Sequence, residues 1–314
     1  MDIASIKNEL LENNDKLLEK QSFLNNKYKL QKRRTHCKNC QFPLKTDDYD
    51  LINNGIKYKI CRECSHFNGE RENTNQFNEW LYKDEKDSNY SSNYSKNYLQ
   101  RISKIYLPKA KHLKESLEDI CEIKNFSLFD FGCGSGHFVY ACNSLGIKAR
   151  GVDISSKSIE IARYHWKKSA KSDVGSPFST VSSEDELIKE IINSKTDVVS
   201  FIGVFEHLRN PNKALKAFVK SSSKYLYFSV PLFSLSVFIE NICKKTVPRQ
   251  LSGGHTHLYT LESINYFCEK YSFEKISQWH FGTDAMDLRR SLINETVKNC
   301  TSTYAIKILE DKFM

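Results

Sequence analysis

Two cysteine pairs, Cys37-Lys-Asn-Cys40 and Cys61-Arg-Glu-Cys64, stand with residues 41–60 between them. A two-residue spacer presents two thiolates from one knuckle, and two knuckles close a tetrahedral four-thiolate site with no open position. The spacing therefore favours structural zinc held by Cys37, Cys40, Cys61 and Cys64 over a redox dithiol. The Asn53-Asn54-Gly55 turn, flanked by strand-like arms, suits a zinc ribbon. A second constellation lies at "FDFGCGSGHF", residues 129–138, where Gly132, Gly134 and Gly136 alternate. No Gly-Lys-Ser/Thr follows, so this is not a phosphate loop, and His137 stands where a dinucleotide fingerprint needs glycine. Asp153 follows Gly132 at about the 20-residue distance of a ribose-binding acid, and its carboxylate can accept from both ribose hydroxyls. The pattern points to an adenosine-type ligand without a pyrophosphate.

These groups need elements to hold them. "SLFDFG" reads as a buried strand and "HFVYACNSLG" as a helix closed by Gly146. "KARGVDI", "PFSTV", "TDVVSFIG" and "KYLYFSVP" supply four more strands, with helices at "SKSIEIARYHWKKSA", around 184–193, and from Asn210 to Ser222. This alternation predicts an α/β fold with a doubly wound, Rossmann-like parallel sheet, whose ligand sits at the strands' carboxyl ends. Residues 1–34 read as a helical arm in which Ile3, Leu10, Leu17 and Leu24 keep a seven-residue step suited to packing or dimerisation. The expected boundaries are 35–70 for the ribbon, 71–115 for a Tyr-rich linker and helix, 116–285 for the doubly wound domain, and 286–314 for a helical tail.

"FDFGCGSGHF", "GVDIS" and "DVVSFIGVFEHLRNP" resemble the first, second and fourth motifs of class I S-adenosylmethionine-dependent methyltransferases, with coverage of about 120–285. That resemblance implies that Gly132, Gly134 and Gly136 line the amino-acid part of the cofactor and that Asp153 binds its ribose. Ser183 or Glu184 would lie near the adenine, and Asp130, Ile154 and Ile202 complete the implied cofactor set. The order of ribbon, Tyr-rich segment and methyltransferase, with "YKICRECSHFN" and "WHFGTDAMDLRRSL", is similar to a bacterial family that modifies sugars of surface polysaccharides. The acceptor it implies is a nucleotide-sugar or glycan.

An acceptor hydroxyl or acidic carbon needs a base placed on its proton. The candidates are Glu206 and His207 in "VFEHL", and His255 and His257 in "GGHTHLYT", read as a glycine-loosened loop before a helix. His257 is favoured, because that loop follows the fifth strand and could close over an acceptor, whereas Glu206-His207 could cap the next helix. The family's sugar C-methyltransferases show Tyr-His-Glu-His-Leu here; Gly254 and Thr256 replace the Tyr and Glu, which tilts the reading toward O-methylation. Tyr94 and Tyr98 are candidates for a lid. The alternatives are a nucleic-acid methyltransferase and a non-catalytic adaptor of the same fold. The first lacks an Asn/Asp-Pro-Pro-Tyr/Phe segment after strand four.

The bulk numbers narrow the class further. Lys and Arg total 47 against 38 Asp and Glu, and five cations cluster from Lys27 to Arg34, so an anionic partner is compatible. The apolar run Tyr225–Ile239 is broken by Pro231 and three serines and is too short to span a bilayer. The charged N-terminus does not read as a secretory signal, and a cytoplasmic location is expected.

Overall fold

A computed structural model of the protein describes residues 13–45, 47–74, 76–78, 80, 97–169, 175–251, 255–281, 284–299, 302–304 and 307. In chain order its elements are α1 (Asn14–Lys29), β1 (Leu51–Asn53), β2 (Ile56–Ile60), β3 (Phe67–Gly69) and α2 (Tyr98–Arg101). A π turn (Ile102–Tyr106) leads into α3 (Leu107–Cys121), then β4 (Ser127–Phe131), α4 (His137–Ser144), β5 (Lys148–Asp153) and α5 (Ser156–Lys167). There follow β6 (Phe178–Thr180), α6 (Glu184–Asn193), β7 (Val198–Ile202), α7 (Pro211–Lys220) and β8 (Tyr225–Ser229). The last are α8 (Leu235–Ile242), β9 (His257–Leu258), α9 (Leu261–Lys270) and α10 (Asp284–Asn299).

Two compact units emerge, one of residues 78–230 with 268–279, the other of 2–77, 231–267 and 280–314. The expected continuous domain 116–285 is thus interrupted. The reason is pairing: β9 joins β3 antiparallel, with Phe67 opposite Leu258 and Asn68 opposite His257. A two-residue strand leaves no alternation for sequence reading to detect.

In the first unit the parallel strands run β6-β5-β4-β7-β8. The chain starts at the central strand β4, winds out to β6, then returns to β7 on β4's other side. That reversal is a switch point, beside which such sheets bind ligands at their carboxyl ends. Burial on both faces explains the sequence of these strands: Leu128, Phe129, Phe131, Val198, Val199 and Phe201 are fully enclosed. The following helices start where side chains cap them. Ser155, Ser183 and Asn210 accept from the backbone N–H groups of Ser158, Glu186 and Lys213.

In the second unit the sheet order is β1-β2-β3-β9, antiparallel throughout. Asn54 and Gly55 turn β1 into β2 with φ of 47° and 73°, the pair of positive values that a tight hairpin requires. Helix α1 buries Asn14, Gln21, Asn25 and Tyr28, while Leu17 and Leu24 are only half-buried. Asn14 accepts from the Val247 N–H and donates to the Lys245 carbonyl, both at 2.8 Å, and Tyr28 donates to the Arg71 carbonyl at 2.6 Å. Hydrogen bonds to its own unit hold this helix; of the residues in the seven-residue step, Ile3 and Leu10 lie outside the described residues. Two of the clustered cations are likewise engaged within the unit. Arg34 donates to the Gly69 and Arg71 carbonyls and Arg33 to the Tyr49 hydroxyl. No described helix is long and apolar enough to cross a membrane.

Candidate active site and four-cysteine centre

The loop between β4 and α4 carries the first site. Gly132, Gly134 and Gly136 have φ of 67°, 52° and 76°, a region that L side chains rarely adopt, so glycine is required three times within one turn. The loop is pinned at both sides. Gly132 and Cys133 donate their N–H groups to the Val152 carbonyl at 2.9 and 3.1 Å, and Tyr98 donates its hydroxyl to the Ser135 carbonyl at 2.9 Å. Tyr98 is buried and stacks on His165, with ring centres 3.7 Å apart. It therefore braces the loop from outside; Tyr94 lies outside the described residues.

Asp153, at the end of β5, is half-buried and accepts the Gly134 N–H on one oxygen and the Ser155 N–H on the other, each at 2.8 Å. Burial pushes its pKa up, and these two donors pull it back. A carboxylate has about four acceptor positions, so about two stay available for ribose hydroxyls. A Cβ added at Gly134 would meet nothing within 4 Å, so the middle of the loop borders open space. Open loop, left-handed glycines and a partly used carboxylate fit an adenosine-containing cofactor. Ile154 and Ile202 stand at the carboxyl ends of β5 and β7, while Ser183 caps α6 and Glu184 opens it. Asp130 is buried inside β4, accepts the Ser200 hydroxyl at 2.6 Å, and is pushed up to about 7 by burial.

Acid–base groups gather in the same unit. Glu206 is 4 % exposed, in the turn after β7; its Oε2 is buried and accepts no hydrogen bond among the described residues. His207 is half-buried, with its backbone N–H on the Val204 carbonyl. Burial pushes Glu206 up to about 8 against the pull of Lys109. Lys109 was not singled out by the sequence reading. It lies in α3 on the stripe of Ala110, Leu113 and Leu117, is 8 % exposed, and donates to the Ser229 hydroxyl at 2.8 Å. A lysine falling on an apolar helical stripe was the available signal.

In the second unit the four cysteines converge: one sulfur atom from each of Cys37, Cys40, Cys61 and Cys64 lies within 4.8 Å of the others. The Cys37–Cys64 and Cys40–Cys61 separations are 3.6 and 3.5 Å. Four thiolates at ~2.3 Å from a tetrahedral zinc would be roughly 3.8 Å apart, so the cage has the right size. Asn39, Asn68 and the Phe42 N–H donate to the sulfurs of Cys64, Cys37 and Cys40, as thiolate ligands require. The contact with Cys37 pulls Cys61 down to about 5 and Cys64 to about 7, while contacts with Cys40, Cys61 and Cys64 drive Cys37 upward.

The two remaining histidine candidates also belong to this unit. His257 is not in a loop: it forms β9, is fully buried, and shares a 2.8 Å hydrogen bond with His66. Ladder pairing with β3 fixes it there, which removes the mobility that made it the favoured base. His255 lies outside any element, half-buried, its Nδ1 at 3.0 Å from the Gln250 carbonyl, and burial depresses it to about 4. Gly253 and Gly254 lie outside the described residues.

Residues 88–278 match the family described as a methyltransferase domain. The chain belongs to this family, and this region is an S-adenosylmethionine-dependent methyltransferase domain, with which the glycine loop and the switch-point sheet agree. A ubiquinone biosynthesis O-methyltransferase of Pelagibacter ubique is 36% identical over 107 residues, which is 33% of this chain and 39% of that protein. Its namesake in Thiobacillus denitrificans is 31% identical over 90 residues, 29% of this chain and 37% of that protein. The chain thus spans less than two thirds of the length of these relatives. A solved magnesium protoporphyrin IX methyltransferase from Synechocystis PCC 6803 superposes with a TM-score of 0.45 at 14% identity, over 62% of this chain and 93% of that one.

Proposed function

We propose that the protein transfers a methyl group from S-adenosylmethionine to a hydroxyl oxygen of a sugar, presented as a nucleotide-sugar or glycan. The observation that carries methyl transfer is the loop of Gly132, Gly134 and Gly136 with Asp153 bound to its centre. Oxygen as the acceptor atom is supported by the relatives named O-methyltransferases. A sugar is supported by the layout of ribbon and methyltransferase. It is supported too by the polar groups at the carboxyl ends of β7 and β8, where Glu206, Lys109 and Ser229 suit a hydroxyl-rich acceptor.

When bound, the cofactor supplies an electrophilic methyl on a sulfonium. The chain's own share is alignment and proton removal. Gly134 leaves room for the cofactor, Asp153 receives the ribose hydroxyls, and Tyr98 keeps the loop from opening. The turn of Glu206 and His207 takes the acceptor's proton. The four-cysteine centre holds zinc in a closed, structural role, because four thiolates leave no position for substrate. A cytoplasmic location goes with this reading, since a reducing compartment keeps the thiols free for metal.

The test is single-turnover transfer of labelled methyl to three panels: nucleotide-sugars, catechol-type phenols and RNA. Transfer to a nucleotide-sugar is the expected result. Transfer confined to phenols or to RNA would replace the acceptor class, and no S-adenosylhomocysteine binding would remove the activity altogether.

A further inference from the structure

We propose that Lys109 is a positioning residue for methyl transfer, holding Glu206 ready as the group that takes the proton from the acceptor hydroxyl. The inference rests on the reading above and deepens it. Helix α3 is tied to β8 twice at this lysine. The ammonium of Lys109 donates to the Ser229 hydroxyl at 2.8 Å, and its carbonyl accepts the Tyr227 hydroxyl at 2.9 Å. Ser229 ends β8 opposite Ile202, and its carbonyl accepts the Gly203 N–H at 2.9 Å. Gly203, with φ of 70°, turns the chain out of β7, and a Cβ there would lie 3.6 Å from Glu206 Oε1. Hydrogen bonds thus join Lys109 to Ser229 and Ser229 to Gly203, and the Glu206 carboxylate lies over the open side of Gly203. The π turn at Ile102–Tyr106 re-phases the helix and ends three residues before Lys109, a feature frequent at functional sites.

The second observation is Glu206 itself: its Oε2 is buried yet accepts no hydrogen bond among the described residues. A carboxylate so placed is costly unless a cation faces it or a hydroxyl donates to it. Lys109 supplies the cation, and an acceptor hydroxyl would supply the donor. Burial raises Glu206 to about 8 and depresses Lys109 to about 8, each partner opposing the burial effect on the other. Arg101 and Asp130 also act on Lys109, and His207 lies beside Glu206. In the step, the hydroxyl proton passes to the Glu206 carboxylate while the electron pair on the acceptor oxygen forms the oxygen–methyl bond; the methyl–sulfur bond breaks, its pair stays on sulfur, and S-adenosylhomocysteine is the leaving group. Glu206 then releases the proton to water.

The test is an NMR titration of the Glu206 carboxyl and the Lys109 ammonium, in the full chain with S-adenosylhomocysteine added. An opposite charge facing a carboxylate shifts it by about one to three pH units. Lys109→Met should raise the Glu206 midpoint by about one unit or more, Lys109→Arg should leave it near wild type, and Glu206→Gln should lower the Lys109 midpoint. The pH midpoint of single-turnover transfer should rise with that of Glu206 in Lys109→Met. Midpoints that ignore the partner's removal overturn the proposal, and Glu206→Gln tests it even if Lys109→Met does not fold. A wild type that binds no S-adenosylhomocysteine would instead defeat the methyltransferase reading, with the coupling still measured.

Discussion

The carboxylate of Asp153 accepts the backbone N–H of Gly134 across 2.8 Å, so the side chain that the proposed function assigns to the ribose also shapes the glycine loop. Asp153→Ala removes both roles. Loss of hydrogen bonds to a charged group should weaken S-adenosylhomocysteine binding by about 1.5–3 kcal/mol, measured by calorimetry. An unchanged Kd would mean that the ribose sits elsewhere.

Two glycines of that loop should fail in different ways. At Gly136 a Cβ would stand 2.5 Å from the Phe178 ring and 2.9 Å from Ala162, in a left-handed conformation. Gly136→Ala should therefore cost about 2–4 kcal/mol of stability, overpacking added to backbone strain. At Gly134 nothing lies within 4 Å, so Gly134→Ala should cost only about 1 kcal/mol yet block the cofactor. Thermal melts and cofactor titrations on both variants separate the cases; equal stability losses would contradict this packing.

The parallel sheet was legible because buried strands such as Leu128–Phe131 are followed by helices with readable caps at Ser155, Ser183 and Asn210. The glycine loop and the four cysteines were legible because their spacing encodes local geometry. What escaped depends on long-range pairing. His257 is fixed by β3, far away in sequence, and nothing near it announces a strand. Lys109 acquires its setting from Ser229, which only the sheet brings to α3. In α1 the hydrogen bonds of Asn14 and Tyr28 to residues distant in sequence also escaped, because no local pattern announces them.

Metal removal should be read in the second unit. Purified protein should contain about one zinc per chain, measured by elemental analysis under non-chelating conditions. Cys61→Ser should lose the metal and, with it, the ordered structure of residues 36–68, followed by amide exchange. Asn68→Ala should keep zinc but bind it roughly 10–100-fold more weakly, since Asn68 donates to the Cys37 sulfur. Protein without metal and with unchanged exchange would exclude a structural zinc.

Buried Glu206 also makes the fold sensitive to alkali. Its folded pKa of about 8 lies above the unfolded value of 4.5. The folded state therefore holds the proton more tightly, and this contribution to stability is complete below pH 4.5. It is lost as pH rises toward 8, because the unfolded chain ionises freely while the folded one must bury a charge. At ~1.4 kcal/mol per pH unit, the loss is on the order of a few kcal/mol. Lys109, depressed from 10.5 to about 8, has the opposite sense: its burial costs most below pH 8 and least above 10.5. Glu206→Gln cannot ionise, so its melting temperature should gain on wild type between pH 5 and pH 9. Asp130 titrates in both proteins and cancels in the comparison. A difference in melting temperature that stays constant across that range would show that Glu206 is already ionised in the fold at pH 5, and that Lys109 compensates it fully.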